Sequence, residues 1–223
     1  MSENVLIEES VYKIPLILSK SLESQRNTFE QIILDAQKRL RTFAIQNGWS
    51  SFVKESFADR AEIYDNKNKF DIRFLKLHNE DLSIKLPKTV SAALEKRVFI
   101  SVSPELYAQN YPEGIEEKFF EKLITHEMAH RLHIRILNNN ENAMGPIWFF
   151  EGFALYAAGQ FENDNLKMNH IEILKIITSS ERGSYKKYAA IFRYFLRKVT
   201  LKELIIHSKN ENFVEWLENI ITE

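Results

Sequence analysis

The sequence predicts an α+β protein, with a small mixed sheet and helices in the first half and a helical second half. Three observations carry that expectation. The short β-prone runs all lie before Pro104, whereas from residue 115 onward apolar positions recur at the three-and-four spacing of helices. Only six Gly and five Pro interrupt 223 residues, which favours long regular elements. No Pro-, Gly- or Ser-rich linker separates the halves. Residues 1–223 therefore read as one domain, with a strand-containing lobe at 1–114 and a helical lobe at 115–223.

Residues 5–18 hold strand-like pieces, interrupted by Pro15. Residues 22–47 read as one long amphipathic helix, because Phe29, Ile32, Ile33, Ala36, Leu40, Phe43 and Ala44 recur at threes and fours and Gly48 is a suitable stop. A short strand is expected at 61–64. Asp65-Asn66 then start a helix over 67–77, and 78–86 is polar and loop-like. Runs at 90–94 and 97–103 suggest a hairpin about Glu95-Lys96, without the usual Asn-Gly turn chemistry. Pro104 ends the second run. Helices are expected over 115–137, 146–161, 166–178, 185–199, 201–207 and 212–221. A polar loop fills 138–142, and Pro146 suits a first helical turn.

Composition excludes several classes. Lys plus Arg total 30 and Asp plus Glu 31, so a net charge of -1 gives no electrostatic case for nucleic acid or an anionic membrane. The absence of Cys removes disulfide scaffolds, thiol nucleophiles, iron–sulfur clusters and Cys-ligated zinc. Met1-Ser2-Glu3-Asn4 is acidic and no long apolar stretch follows it, unlike a secretory signal, and no run is long enough to span a bilayer. A cytoplasmic protein is expected.

The chemistry concentrates in Thr125-His126-Glu127-Met128-Ala129-His130. On a helix, residues i and i+4 stand one above the other, so His126 and His130 can direct both imidazoles at one ion. Neutral imidazole suits Zn2+. Glu127 is turned about 100° from His126 around the helix, which places its carboxylate beside the ion, where it can accept a proton from water. A catalytic zinc site wants a third protein ligand. Glu151 offers one, as a lone carboxylate among Trp148, Phe149, Phe150 and Phe153, because a buried carboxylate without a partner costs several kcal/mol and an ion removes that cost. A pattern of His-Glu-x-x-His-x-x-Gly-x-x-His is ruled out by His133 and Ile136. A two-His-one-carboxylate iron site is formally open, but a non-ligating Glu between the histidines favours zinc hydrolysis.

His126-Glu127-x-x-His130 followed by Trp148-Phe149-Phe150-Glu151-Gly152-x-Ala154 resembles the gluzincin metallopeptidases, and within them the small peptidase-MA-like proteins related to the aminopeptidase N and thermolysin groups. The overlap covers about residues 119–196. The resemblance implies a zincin-like fold, one zinc ion on His126, His130 and Glu151, and Glu127 as general base. The Gly-Ala-Met-Glu-Asn exopeptidase signature is absent upstream of the motif, and Leu155 stands where thermolysin-type proteins carry Asp. Similar proteins carry a Tyr at the start of a later helix as oxyanion donor. Tyr188 aligns best with it, and Tyr185 is the neighbouring choice.

His133 lies near the same face and reads as a polar residue on a half-exposed helix, or as an extra ligand. Arg182, Lys186, Arg193 and Arg197 fall at helical spacing and read as a solvated face, or as a holder of a substrate carboxylate or an acidic partner. The run Val98-Phe99-Ile100-Ser101-Val102-Ser103 is expected at the sheet edge beside the metal cleft, where an open edge can pair with an extended peptide. The expected function is a zinc-dependent metallopeptidase acting on a peptide or protein substrate, with neither nucleic acid nor membrane as partner. The alternative is a catalytically silent zincin-like binding or regulatory module.

Overall fold

A computed structural model describes residues 11–222. The strand-prone positions at 5–10 and the acidic N-terminus lie outside the described residues. The fold is α+β, a mixed four-stranded sheet followed by a helical C-terminal region. The chain divides into two compact units, the first ending at Met128 and the second starting at Ala129. That division falls inside a helix. The sequence changes character at residue 115, where the helical periodicity starts, but the first turns of that helix still make their contacts with the sheet unit.

In the sheet unit the elements run β1 (Leu16–Leu18), α1 (Arg26–Gln46), β2 (Arg60–Tyr64), α2 (Lys67–His78), β3 (Ala92–Glu95), β4 (Val98–Val102) and α3 (Pro104–Asn110). The strand order is β1-β2-β4-β3, with β1 and β4 parallel to β2 and with β3 antiparallel to β4. Most of the periodic positions of α1 are buried: Phe29, Ile33, Ala36, Leu40 and Ala44 are enclosed, while Ile32 and Phe43 are half-buried at the margin of that face. The Gln37 side chain serves the backbone of Tyr12 at both ends, accepting from its N–H at 3.2 Å and donating to its C=O at 2.8 Å. One side chain thus supplies what a paired strand would.

The expectation of an edge position for residues 97–103 is corrected here. β4 is flanked on both sides, pairing Arg60 with Val98 on one side and Glu95 with Val98 on the other. All five of its residues are buried. A near-continuous apolar run without alternation is the signature of a strand covered on both faces, and its nearness in sequence to the metal helix said nothing about strand order. The hairpin turn is also one residue later than expected. Glu95 still pairs in β3, and Lys96 (φ 46°) and Arg97 (φ 63°) form the turn. Two-residue hairpins need positive φ at both centres to match strand twist, and here Lys and Arg supply it.

The helix α3 begins where only a strand end was expected. Ser103 caps it, accepting from the Leu106 N–H at 3.4 Å, and Pro104 occupies the first turn.

The helical unit takes the last turns of α4 (Phe119–Ile136), then α5 (Ile147–Ala158), α6 (His170–Ile177), α7 (Tyr185–Leu196), α8 (Leu201–Ser208) and α9 (Phe213–Thr222). Gly159, at φ 69°, stops α5 before the expected end at 161. Asn169 and Glu172 form a reciprocal cap that starts α6 later than the apolar pattern implies. The core of this unit is aromatic, with Trp148, Phe149, Phe192, Phe195 and Phe213 in mutual ring contact. Gly152 lets α5 approach α7, because a Cβ there would stand 2.7 Å from a ring carbon of Phe192.

Candidate metal centre

The helix α4 is held by its first turns. Glu121 pairs with Arg39 of α1 at 2.8 Å, and the Thr125 hydroxyl donates to the Glu121 carbonyl at 2.8 Å. Further along, His126 is buried and His130 is half-buried. They stand one turn apart on a continuous helix, as their spacing requires. Glu151 comes from the middle of α5 and is itself buried, on a helix whose Trp148, Phe149 and Phe153 are fully enclosed.

One ligand atom from each of His126, His130 and Glu151 lies within 4.8 Å of the others. His130 Nε2 is 3.6 Å from Glu151 Oε2. Tetrahedral coordination at about 2.0–2.1 Å sets neighbouring donors about 3.4 Å apart, so this pair already has nearly the spacing an ion imposes. Two imidazoles and a carboxylate so gathered can bind a metal ion.

Glu151 is held from its other side. Arg182 Nη1 donates to Glu151 Oε1 at 2.5 Å, and the same nitrogen donates to the Tyr185 hydroxyl oxygen at 2.6 Å. Burial works against the charge of Arg182, but Tyr185 and Glu151 outweigh it and raise its pKa further. Arg182 is exposed, as a solvated face predicts, and it is also the partner of the enclosed carboxylate. The others of that series are also engaged. Lys186 pairs with Asp164 at 2.7 Å, Arg193 donates to the Asp164 carbonyl at 3.3 Å, and Arg197 lies over the Tyr194 ring.

Of the two tyrosines, Tyr185 stands next to the group and Tyr188 is turned away into the fold. The Tyr188 hydroxyl accepts from the Gly183 N–H and donates to the Glu181 carbonyl at 3.3 Å. Glu127 is half-buried on α4. Its charge reaches the phenol of Tyr107, whose pKa is raised by burial first, then by Tyr111 and by Glu127.

His133 is not one of the gathered donors. It is fully buried, stacked on Phe153 at 4.4 Å and edge-on to Phe149. Burial, with help from the nearby charges of His130 and Lys209, depresses its pKa to about 3. It is a neutral core imidazole rather than a half-exposed one.

The pairing of Arg182 with Glu151 is what the spacing of the basic series does not show. A signal for it exists: an enclosed carboxylate requires a donor somewhere in the chain. Its place in the chain, 31 residues on, is set by tertiary structure alone.

No protein-family model, curated protein or solved structure matches this chain.

Proposed function

We propose that the protein is a zinc-dependent peptidase of the gluzincin kind, with a zincin-like fold and a peptide or protein substrate. The observation that carries this reading is the meeting of His126, His130 and Glu151, with donor atoms within 4.8 Å, on a helix where Glu127 follows the first histidine. The resemblance of residues 126–130 and 148–154 to gluzincins supports it. His126 and His130 would hold the ion through ring nitrogens and Glu151 through Oε2.

A zinc ion so held supplies a Lewis acid for the scissile carbonyl and lowers the pKa of water. The chain's own groups do the rest. Glu127 accepts the proton of the attacking water on its carboxylate and delivers it to the leaving amine. Tyr185 supports the oxyanion. Its oxygen accepts from Arg182 Nη1 at 2.6 Å, which sets the phenol beside the partner of Glu151. Tyr185 is preferred to Tyr188 because its hydroxyl shares Arg182 Nη1 with Glu151, whereas the Tyr188 hydroxyl is bonded to the backbone of residues 181 and 183.

Glu127→Gln tests the reading. The amide keeps the size and removes the basic oxygen. Cleavage of a broad peptide library should fall by about 10^2–10^4-fold while bound zinc, measured by metal analysis, stays at one ion per chain. Unchanged cleavage in the variant would remove Glu127 from its role. A wild-type protein that binds zinc and cleaves no peptide would favour the silent binding module.

A further inference from the structure

We propose that Arg182 is a positioning residue for the metal centre: it fixes the carboxylate of Glu151 by one oxygen so that the other faces the ion. This inference rests on the metal-centre reading above and adds a residue to it.

The geometry divides the two oxygens of Glu151 cleanly. Oε1 is held by Arg182 Nη1 at 2.5 Å, and Oε2 lies 3.6 Å from His130 Nε2, on the side of the gathered donors. A glutamate ends in a soft torsion with a broad, two-fold profile, so the carboxylate plane is poorly defined by its own stem. A charge-assisted bond to one oxygen defines that plane. The stem itself is anchored, because α5 is pressed against α7 at Gly152 and Phe192.

Arg182 is suited to this in a second way. It reaches an enclosed carboxylate while its own side chain is 53% exposed. The charge of Glu151 is therefore offset without a second ion being buried, which avoids most of the desolvation cost of a fully buried pair. The guanidinium is also placed from behind, since Tyr188 bonds the backbone on both sides of residue 182, at Glu181 and Gly183. The arrangement differs from an ordinary structural ion pair in what it controls. A pair that only supported the fold would leave the affinity for an ion unchanged once the protein was folded.

Zinc affinity of the full chain is measured by competition with a chromophoric chelator, for the wild type, Arg182→Gln, Arg182→Lys and Lys186→Gln. Cobalt(II) absorption of each reports ligand geometry, and circular dichroism with chelator present reports folding. Loss of an outer partner of a metal ligand costs about 10–100-fold in affinity, and that is the loss expected for Arg182→Gln, with a changed cobalt spectrum. Arg182→Lys should recover part of it, since a point charge replaces the fork, and Lys186→Gln should match the wild type. Wild-type or tighter affinity in a folded Arg182→Gln overturns the inference and leaves the metal centre standing. If Arg182→Gln fails to fold, Arg182→Lys decides: full wild-type affinity and an unchanged cobalt spectrum overturn it. A wild type that binds no ion overturns the inference and the metal-centre reading together.

Discussion

Glu62 in the sheet unit and Glu151 in the helical unit are equally enclosed, at 4% and 3% exposure, yet they are treated differently. Both oxygens of Glu62 are taken up by ordinary donors. Oε1 accepts from Arg60 at 2.7 Å and Arg73 at 2.9 Å, and Oε2 from the Tyr64 hydroxyl at 2.6 Å and Arg73 at 2.8 Å. Burial alone would raise the Glu62 pKa, but Arg73, Tyr64 and Arg60 outweigh it and lower it to about 2. Glu151 Oε1 accepts from Arg182, and Oε2 lies 3.6 Å from His130 Nε2. Burial of a carboxylate is therefore no mark of function by itself. What distinguishes the two is the company they keep: Glu62 sits among arginines and a tyrosine, Glu151 beside two imidazoles that can ligate the same ion.

The sharpest way to break that comparison is to remove each carboxylate and count zinc. Glu151→Ala should reduce zinc affinity by more than about 100-fold, whereas Glu62→Gln should leave it as in the wild type. Metal analysis and chelator competition read both. Equal losses, or none in either, would mean that the two glutamates are the same kind of residue.

A second comparison uses acid. The Glu62 pKa is lowered, so its stabilisation is present above the unfolded value of 4.5 and is lost as pH falls towards about 2. Glu62→Gln should cost about 2 kcal/mol at pH 7, discounted for its partly exposed arginines, and that deficit should shrink below pH 4.5. His133 behaves in the opposite sense. Its folded pKa is depressed from 6.5 to about 3, so the unfolded chain takes up the proton first and the wild type loses stability as pH falls below 6.5. His133→Leu removes that liability. Between pH 7.5 and pH 5 the variant should gain about 2 kcal/mol relative to the wild type, measured by urea unfolding with chelator present. A constant difference across that range would place His133 in contact with water.

The smallest effect belongs to the hairpin of the sheet unit. Lys96 sits at φ 46°, where Asn is better accommodated. Lys96→Asn should stabilise by up to about 1 kcal/mol and leave zinc affinity untouched. Arg97 is the worse choice for this test, because its guanidinium pairs with Asp59 at 2.7 Å.

What could be read in advance follows the range of the interactions. The buried face of α1 and the alignment of His126 with His130 depend on residues three to seven apart, and spacing reports them directly. Glu151 was legible for another reason, since a single carboxylate in a run of aromatics stands out by composition. Ser103-Pro104-Glu105 carried a local helix-start signal of the same quality for α3 and was read only as a strand end. The central place of β4, the pairing of Arg182 with Glu151 and the enclosure of His133 all depend on contacts between distant segments. Nothing in the local spacing encodes them. Arg182 shows the limit well, because its regular interval with Lys186 and Arg193 suggests a solvated stripe, while one member of that stripe serves an enclosed acid.

Tyr188 gives its short segment a mechanical character. Its ring is seated in the core and its hydroxyl grips the chain just before and just after residue 182. The guanidinium is thus the tip of a lever whose pivot is pinned at two points. Small displacements of α7, which carries both Tyr188 and the Phe192 that meets Gly152, are transmitted to that tip. The carboxylate of Glu151 therefore has its tolerance set from two directions by one helix, through its own stem at Gly152 and through the lever at Arg182. Repacking along the buried side of α7 reaches that carboxylate by these two routes.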